Sequence, residues 1–335
     1  MFTIDTHTHI LPPHLPDWSS HFGYGDFIQL NHHEKGKAWM MQGGKKFREI
    51  SENCWNEVTR LEEMEQHRAD AQVICTIPVM FSYWAKAKDA LEISRFLNDH
   101  ILDVVLKYPK KFIGLATVPM QDISLAIQEL ERCMKAGFRG VQIGSNVNDK
   151  NLNEKEFFEF YAAAESLNAA VLVHPWQMMG QEHMARYWLP WLVGMPAEIS
   201  RAICSMIFGG VFDKYPRMRV AFAHGGGSFL PTIGRIIHGW ECRPDLVALD
   251  NPHSPKKYLG KFWVDAHTCD HKMLSYVIDM IGAEKVMQGS DYPFPLGEAV
   301  PGDLVRTAPL SDEIKKTVLG EAALQWLGLQ KNDFI

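Results

Sequence analysis

No two of the six cysteines, at 54, 75, 133, 204, 242 and 269, stand in a Cys-x-x-Cys arrangement. That spacing argues against a cysteine-held metal and against a disulfide framework, and it fits free thiols in a reducing cytoplasm. An excess of positive charge is also missing. Lys and Arg total 34 against 40 Asp and Glu, for a net charge of −6, so no global field attracts nucleic acid or an anionic membrane. The N-terminus lacks the basic-then-apolar pattern of a signal peptide and carries Asp5, His7 and His9 where that pattern is apolar. No apolar run reads as long enough to span a bilayer. Repeats and low-complexity tracts are absent. What remains is ordinary globular composition, 46% hydrophobic and 22% charged. Residues 1–335 read as a single domain, large enough to need no covalent staples.

Apolar, β-branched runs alternate with helical patterns through most of the chain. The strand candidates are "FTIDTHTH", "AQVICTIP", "FIGLATVP", "GVQIGS", "AVLVHPW", "RVAFAHGGG", "KFWVDAHTC" and "KVMQGSDYP". Strands alternating with helices imply a parallel sheet, and eight such units predict an α/β fold of the closed (β/α)8, or TIM barrel, type. An open doubly wound sheet is the competing reading. It would place a Gly-rich phosphate loop after the first strand, where this chain has "HTHILPP". Two connections are long, residues 12–60 and 177–197. In a barrel such loops lie over the active-site mouth, so both read as lids, the first as an insertion after strand one.

His7 and His9 are two apart on a strand, so both face the barrel interior near its C-terminal rim. Two buried imidazoles with no ligand would need several polar partners in a core. A divalent metal explains them more economically. His174 in "LVHPW", His224 in "FAHGGG" and Asp291 in "QGSDYP" stand at the ends of strands five, six and eight. A lone histidine there is more often structural; five such residues at one rim form a strong pattern.

This pattern resembles the metal-dependent amidohydrolase superfamily. The longer strings "CTIPVMFSYW", "HPWQMMG", "YWLPWLVGMPAE", "AHGGGSF" and "GSDYPFPLGE" resemble one group within it, and the resemblance covers nearly the whole chain. It implies a zinc-dependent, oxygen-independent decarboxylase of the kynurenine branch of tryptophan breakdown. By the same resemblance His7, His9, His174 and Asp291 hold one zinc, and His224 is the acid/base group. Arg48 and Arg235 hold substrate carboxylates, and Trp191 and Phe294 line the pocket. The resemblance further implies a homodimer in which Arg235 is donated across the interface, with no nucleic-acid or membrane partner. One departure is Gln177, which stands where the group carries an aspartate.

Many members of the superfamily hold two metals bridged by a carboxylated lysine on strand four. Here that strand is "GVQIGS", with Gln142 and no lysine, so one metal is the better reading. Asp265 and His267 also reach the rim, as outer supports rather than further ligands. The competing functions are a mononuclear metal-dependent hydrolase of lactones or amides, a decarboxylase of aromatic acids on the same scaffold, and a non-enzymatic metal-binding barrel.

Overall fold

The structure, a computed structural model, describes residues 1–334. Eight strands follow one another around a single sheet: β1 (Ile4–His9), β2 (Ala71–Cys75), β3 (Phe112–Ala116), β4 (Gly140–Gly144), β5 (Ala170–His174), β6 (Arg219–Phe222), β7 (Trp263–Asp265) and β8 (Val286–Met287). Each is parallel to the next. The segment after β8 then bonds back to β1. The Thr6 amide donates to the Gln288 carbonyl at 2.9 Å and the His9 amide to that of Tyr292 at 2.8 Å, while the Asp291 amide donates to His7 at 2.9 Å. The result is the expected (β/α)8 barrel.

The strands are buried on both faces, which is why they read as near-continuous apolar runs. Val141, Ile143, Val171, Val173, Val220 and Phe222 face outward onto helical residues such as Leu130, Phe160, Ile203 and Ile207. Ile4, Val73, Leu115, Leu172 and Ala221 fill the barrel floor with Trp326, which comes from the helix Ala322–Leu327. Gly140 is required where β4 meets β5, because an added Cβ would lie 1.9 Å from the Ala170 carbonyl oxygen. The six cysteines are free thiols.

Two regions differ from the sequence reading. The 12–60 insertion is not an irregular loop. It holds a helix, Trp18–Phe22, and a three-stranded antiparallel sheet of Gln29–Glu34, Lys37–Gln42 and Lys45–Ser51. Its buried Phe27, Ile28, Ala38, Met40 and Ile50 share a core with Leu11, Ile77, Val79 and Met80 of the barrel rim. Secondly, the helical stretch Pro190–Phe208 is 19 residues long and apolar enough by composition to cross a membrane, contrary to the reading that no run reaches that length. Ile199, Ala202, Ile203, Met206 and Ile207 bury its inner face against the barrel, so it serves as a core helix.

Candidate active site

His7 and His9 lie on β1 and His174 closes β5, so all three are placed at the rim by strand geometry. Their outer nitrogens are all occupied. His7 Nδ1 is 2.7 Å from Asp265 Oδ2, His9 Nδ1 is 3.0 Å from the Thr76 carbonyl oxygen, and His174 Nδ1 is 2.9 Å from that of Pro175. A carbonyl oxygen only accepts, so Nδ1 of His9 and of His174 carries the proton and Nε2 keeps its lone pair. The inner nitrogens converge with Asp291, and one ligand atom from each of the four residues lies within 4.8 Å of the others. His9 Nε2 is 3.1 Å and His7 Nε2 3.5 Å from Asp291 Oδ1.

This donor set fits a divalent metal. His7 Nε2 and His174 Nε2 are buried without a hydrogen-bond partner, a costly condition that a cation removes. Burial and the neighbouring imidazoles push the His174 pKa well below the usual range, which keeps it neutral. Burial opposes ionisation of Asp291, yet the facing imidazoles of His224, His9 and His7 outweigh it and hold the carboxyl well below its usual range. The outer partners orient the rings, as second partners of metal-bound histidines generally do. Gln142 lies fully buried on β4 with both side-chain polar atoms unpartnered, and it supplies no anion to bridge a second ion. Purified protein is therefore expected to retain one tightly held metal per chain on elemental analysis. Two tightly held ions would overturn the mononuclear reading.

His224 and Asp291 do not end strands as the sequence suggests. Each sits in a turn beyond its strand with left-handed backbone, at φ 56° and 58°. Such strain in non-glycine residues is concentrated at functional sites. Asp265 over-determines the turn at His224: it accepts from the His224 amide at 2.9 Å and the Gly225 amide at 2.8 Å. It also accepts from the His267 amide at 3.1 Å. The same carboxylate thus fixes the His7 ring and the His224 backbone. His224 Nε2 lies 3.6 Å from Asp291 Oδ2, and its ring stacks 5.3 Å from that of His7.

A cleft opens above the cluster, lined by His9, His174, Asp291, Arg48, Trp191 and Phe294 among others. Arg48 reaches it from the insertion strand Lys45–Ser51, with its guanidinium carbon 4.4 Å from the Phe294 ring centroid and 5.7 Å from that of Trp191. It is half-buried and makes no hydrogen bond or ion pair among the described residues. Burial pushes its pKa down and the Asp291 charge offsets this. Arg235 is elsewhere. It stands midway along the helix Phe229–Cys242, exposed, and does not line its own chain's cleft. Gln177 lines an outer vestibule rather than the ligand cluster. Its backbone is left-handed at φ 50° and its side-chain oxygen is buried without a partner.

The second long connection is pinned by Glu198, which is fully buried and accepts from the Met179 amide at 2.8 Å and from Asn146 Nδ2 at 3.1 Å. Trp176, Met178 and Trp188, which complete the wall with Ile77 and Val79, were not foreseen as lining residues. The run of aromatics in "HPWQMM" and "YWLPW" beside a proposed rim histidine was the available signal.

The amidohydrolase family model matches residues 4–329. The chain is 52% identical over 334 residues to a 2-amino-3-carboxymuconate-6-semialdehyde decarboxylase of Dictyostelium discoideum, covering 99% of this chain and 93% of the relative. It is 35% identical to one of Caenorhabditis elegans, covering 98% of this chain and 95% of the relative. The crystal structure of a dihydroxybenzoic acid decarboxylase from Polaromonas sp. JS666, with bound manganese and the inhibitor 2-nitroresorcinol, shares the fold with a TM-score of 0.77 at 20% identity, covering 99% of this chain and 98% of that one. The chain therefore belongs to the amidohydrolase family, and it is a metal-dependent decarboxylase.

Proposed function

We propose that the enzyme converts 2-amino-3-carboxymuconate 6-semialdehyde to 2-aminomuconate 6-semialdehyde with one zinc per chain. It would act in the cytoplasm, in the kynurenine branch of tryptophan catabolism, where it diverts flux from quinolinate and NAD synthesis. The observation that carries this reading is Arg48, a half-buried guanidinium with no counter-ion, held over Phe294 at the mouth of a His-His-His-Asp cluster. The extent of identity to the Dictyostelium and nematode enzymes supports the substrate.

His7, His9, His174 and Asp291 would hold the zinc, which supplies Lewis acidity and a means of activating water near neutral pH. Arg48 binds a substrate carboxylate through its planar fork and stays charged at all working pH. Trp191, Phe294, Ile77 and Val79 exclude water around the bound chain. His224 moves a proton to or from the reacting carbon at Nε2, a task suited to an imidazole. Protonation of the carbon that bears the leaving carboxylate turns the neighbouring enamine into an iminium. The electron pair of the breaking carbon–carbon bond falls into that iminium as carbon dioxide leaves, restoring the enamine with hydrogen in place of the carboxylate. The test is an assay that generates the semialdehyde in situ and follows its loss of absorbance with release of carbon dioxide. Turnover of dihydroxybenzoates in its place would favour an aromatic-acid decarboxylase, and lactone or amide cleavage a hydrolase.

The working form is proposed to be a homodimer in which Arg235 reaches the partner's cleft. Arg235 is exposed on its helix, and an added Cβ at Gly234 or Gly239 would meet nothing within 4 Å, so this helix face is open. A two-fold axis here presents the same patch to both chains. Arg48→Ala and Arg235→Ala proteins are each expected to be nearly inactive with metal retained. Co-refolded, about half the dimers are mixed, each with one intact site, so activity returns to about a quarter of wild type per chain. Mixed dimers that show no recovery would place Arg235 outside the partner's site.

A further inference from the structure

The proposal concerns Arg60, which lies in the first full turn of the helix Glu57–His67 and is fully buried. It forms no ion pair among the described residues. All five of its N–H groups are nevertheless used, each on a neutral acceptor. Nη1 donates to the His9 carbonyl at 2.6 Å and to the Asn53 carbonyl at 3.1 Å. Nη2 donates to Thr8 Oγ1 at 2.9 Å and to Gln72 Oε1 at 3.1 Å, and Nε to the same Gln72 oxygen at 3.2 Å. The guanidinium carbon lies 4.7 Å from the centre of the Tyr292 ring. A buried cation held only by dipoles and a π face is costly to desolvate, so general stability does not account for it.

Most of its partners lead directly to the active site. His9 is a ligand of the cluster and Tyr292 follows the ligand Asp291 in the chain. Tyr292 is also tied to the same helix, its hydroxyl donating to Glu63 Oε2 at 2.6 Å. Asn53 belongs to the short turn Glu52–Cys54, which ends the insertion just after the strand bearing Arg48. Asn53 Nδ2 donates to Glu63 as well, at 3.1 Å. One helix face therefore grips the first ligand strand, the last ligand turn and the root of the insertion.

We infer that Arg60 is a positioning residue for the metal centre: it sets His9 and Asp291 at their mutual distance and fixes the insertion root to them. The planar fork is essential to this, because only a guanidinium reaches carbonyls on two segments and a side chain on a third at once. Lysine keeps the charge but not the fork. The inference rests on the reading that the cluster holds a divalent metal.

The test measures zinc affinity of the whole chain by competition with a chromophoric chelator, well below the unfolding temperature. Arg60→Lys is expected to weaken affinity by about 10- to 100-fold, the range seen when outer partners of metal ligands are removed. Tyr292→Leu, which removes the ring beneath the guanidinium, is expected to weaken it in the same direction and serves if the Arg60 variant does not fold. Asn251→Ala is the control. Asn251 is buried and bonds the Ile207 carbonyl and Tyr258 at the outer helices, so its loss lowers the melting temperature but should leave zinc affinity unchanged. Wild-type affinity in Arg60→Lys would overturn the proposal. So would an equal loss in Asn251→Ala, since Arg60 would then act only through global stability. A wild-type chain that binds no metal would overturn the metal reading itself, and this proposal with it.

Discussion

His224→Ala is expected to lose about two to four orders of magnitude in turnover, the usual contribution of a general acid or base, while its metal content stays at the wild-type level. The geometry motivates both halves. His224 Nε2 is 3.6 Å from Asp291 Oδ2, and the cluster whose ligand atoms converge is complete without it. Its backbone is held by Asp265 through main-chain amides, so removal of the ring leaves that anchor in place. Single-turnover kinetics beside elemental analysis distinguish the roles. Loss of metal together with activity would make His224 a ligand.

Asp291→Ala is expected to abolish metal retention and activity together. The cluster would keep three imidazoles and lose its only carboxylate. The loss of affinity should exceed the roughly 10- to 100-fold that removal of an outer partner costs. A thermal-shift titration gives an independent readout. At metal one hundred times above the dissociation constant, binding stabilises the native state by about 2.7 kcal/mol. Wild-type protein should therefore melt several degrees lower after chelation and recover on metal addition. Asp291→Ala should melt at one temperature in both conditions. A metal-dependent rise in the variant would show that the carboxylate is not needed for binding.

Most of the barrel was legible because its signals are local. Val- and Ile-rich runs bounded by turns mark each strand, and the parity of His7 and His9 sends both to one face. His174 is legible for the same reason, as the last residue of β5. The insertion was less legible, although its turns were written plainly. Gly43 and Gly44 lie between Gln42 and Lys45 with φ of 54° and 74°, a two-residue hairpin turn that needs φ > 0 at both positions. The outer strands of that sheet, Gln29–Glu34 and Lys45–Ser51, are mostly polar, and that hid the alternation. Arg60 was out of reach. Nothing in "VTRLEEME" distinguishes a buried arginine from a surface one, because its acceptors are backbone carbonyls brought close only by the closed barrel. Asp265 was placed at the rim by its strand, but two of its four contacts, those to the His224 and Gly225 amides, depend on the turn that follows β6.

Those contacts of Asp265 bear on how the site moves. The end of β7 is a common datum for the His7 ring and the His224 backbone. Displacing this strand end would disturb the partner of one ring and the backbone of the other together, so the ligand imidazole and the acid/base imidazole, 5.3 Å apart ring to ring, share one anchor.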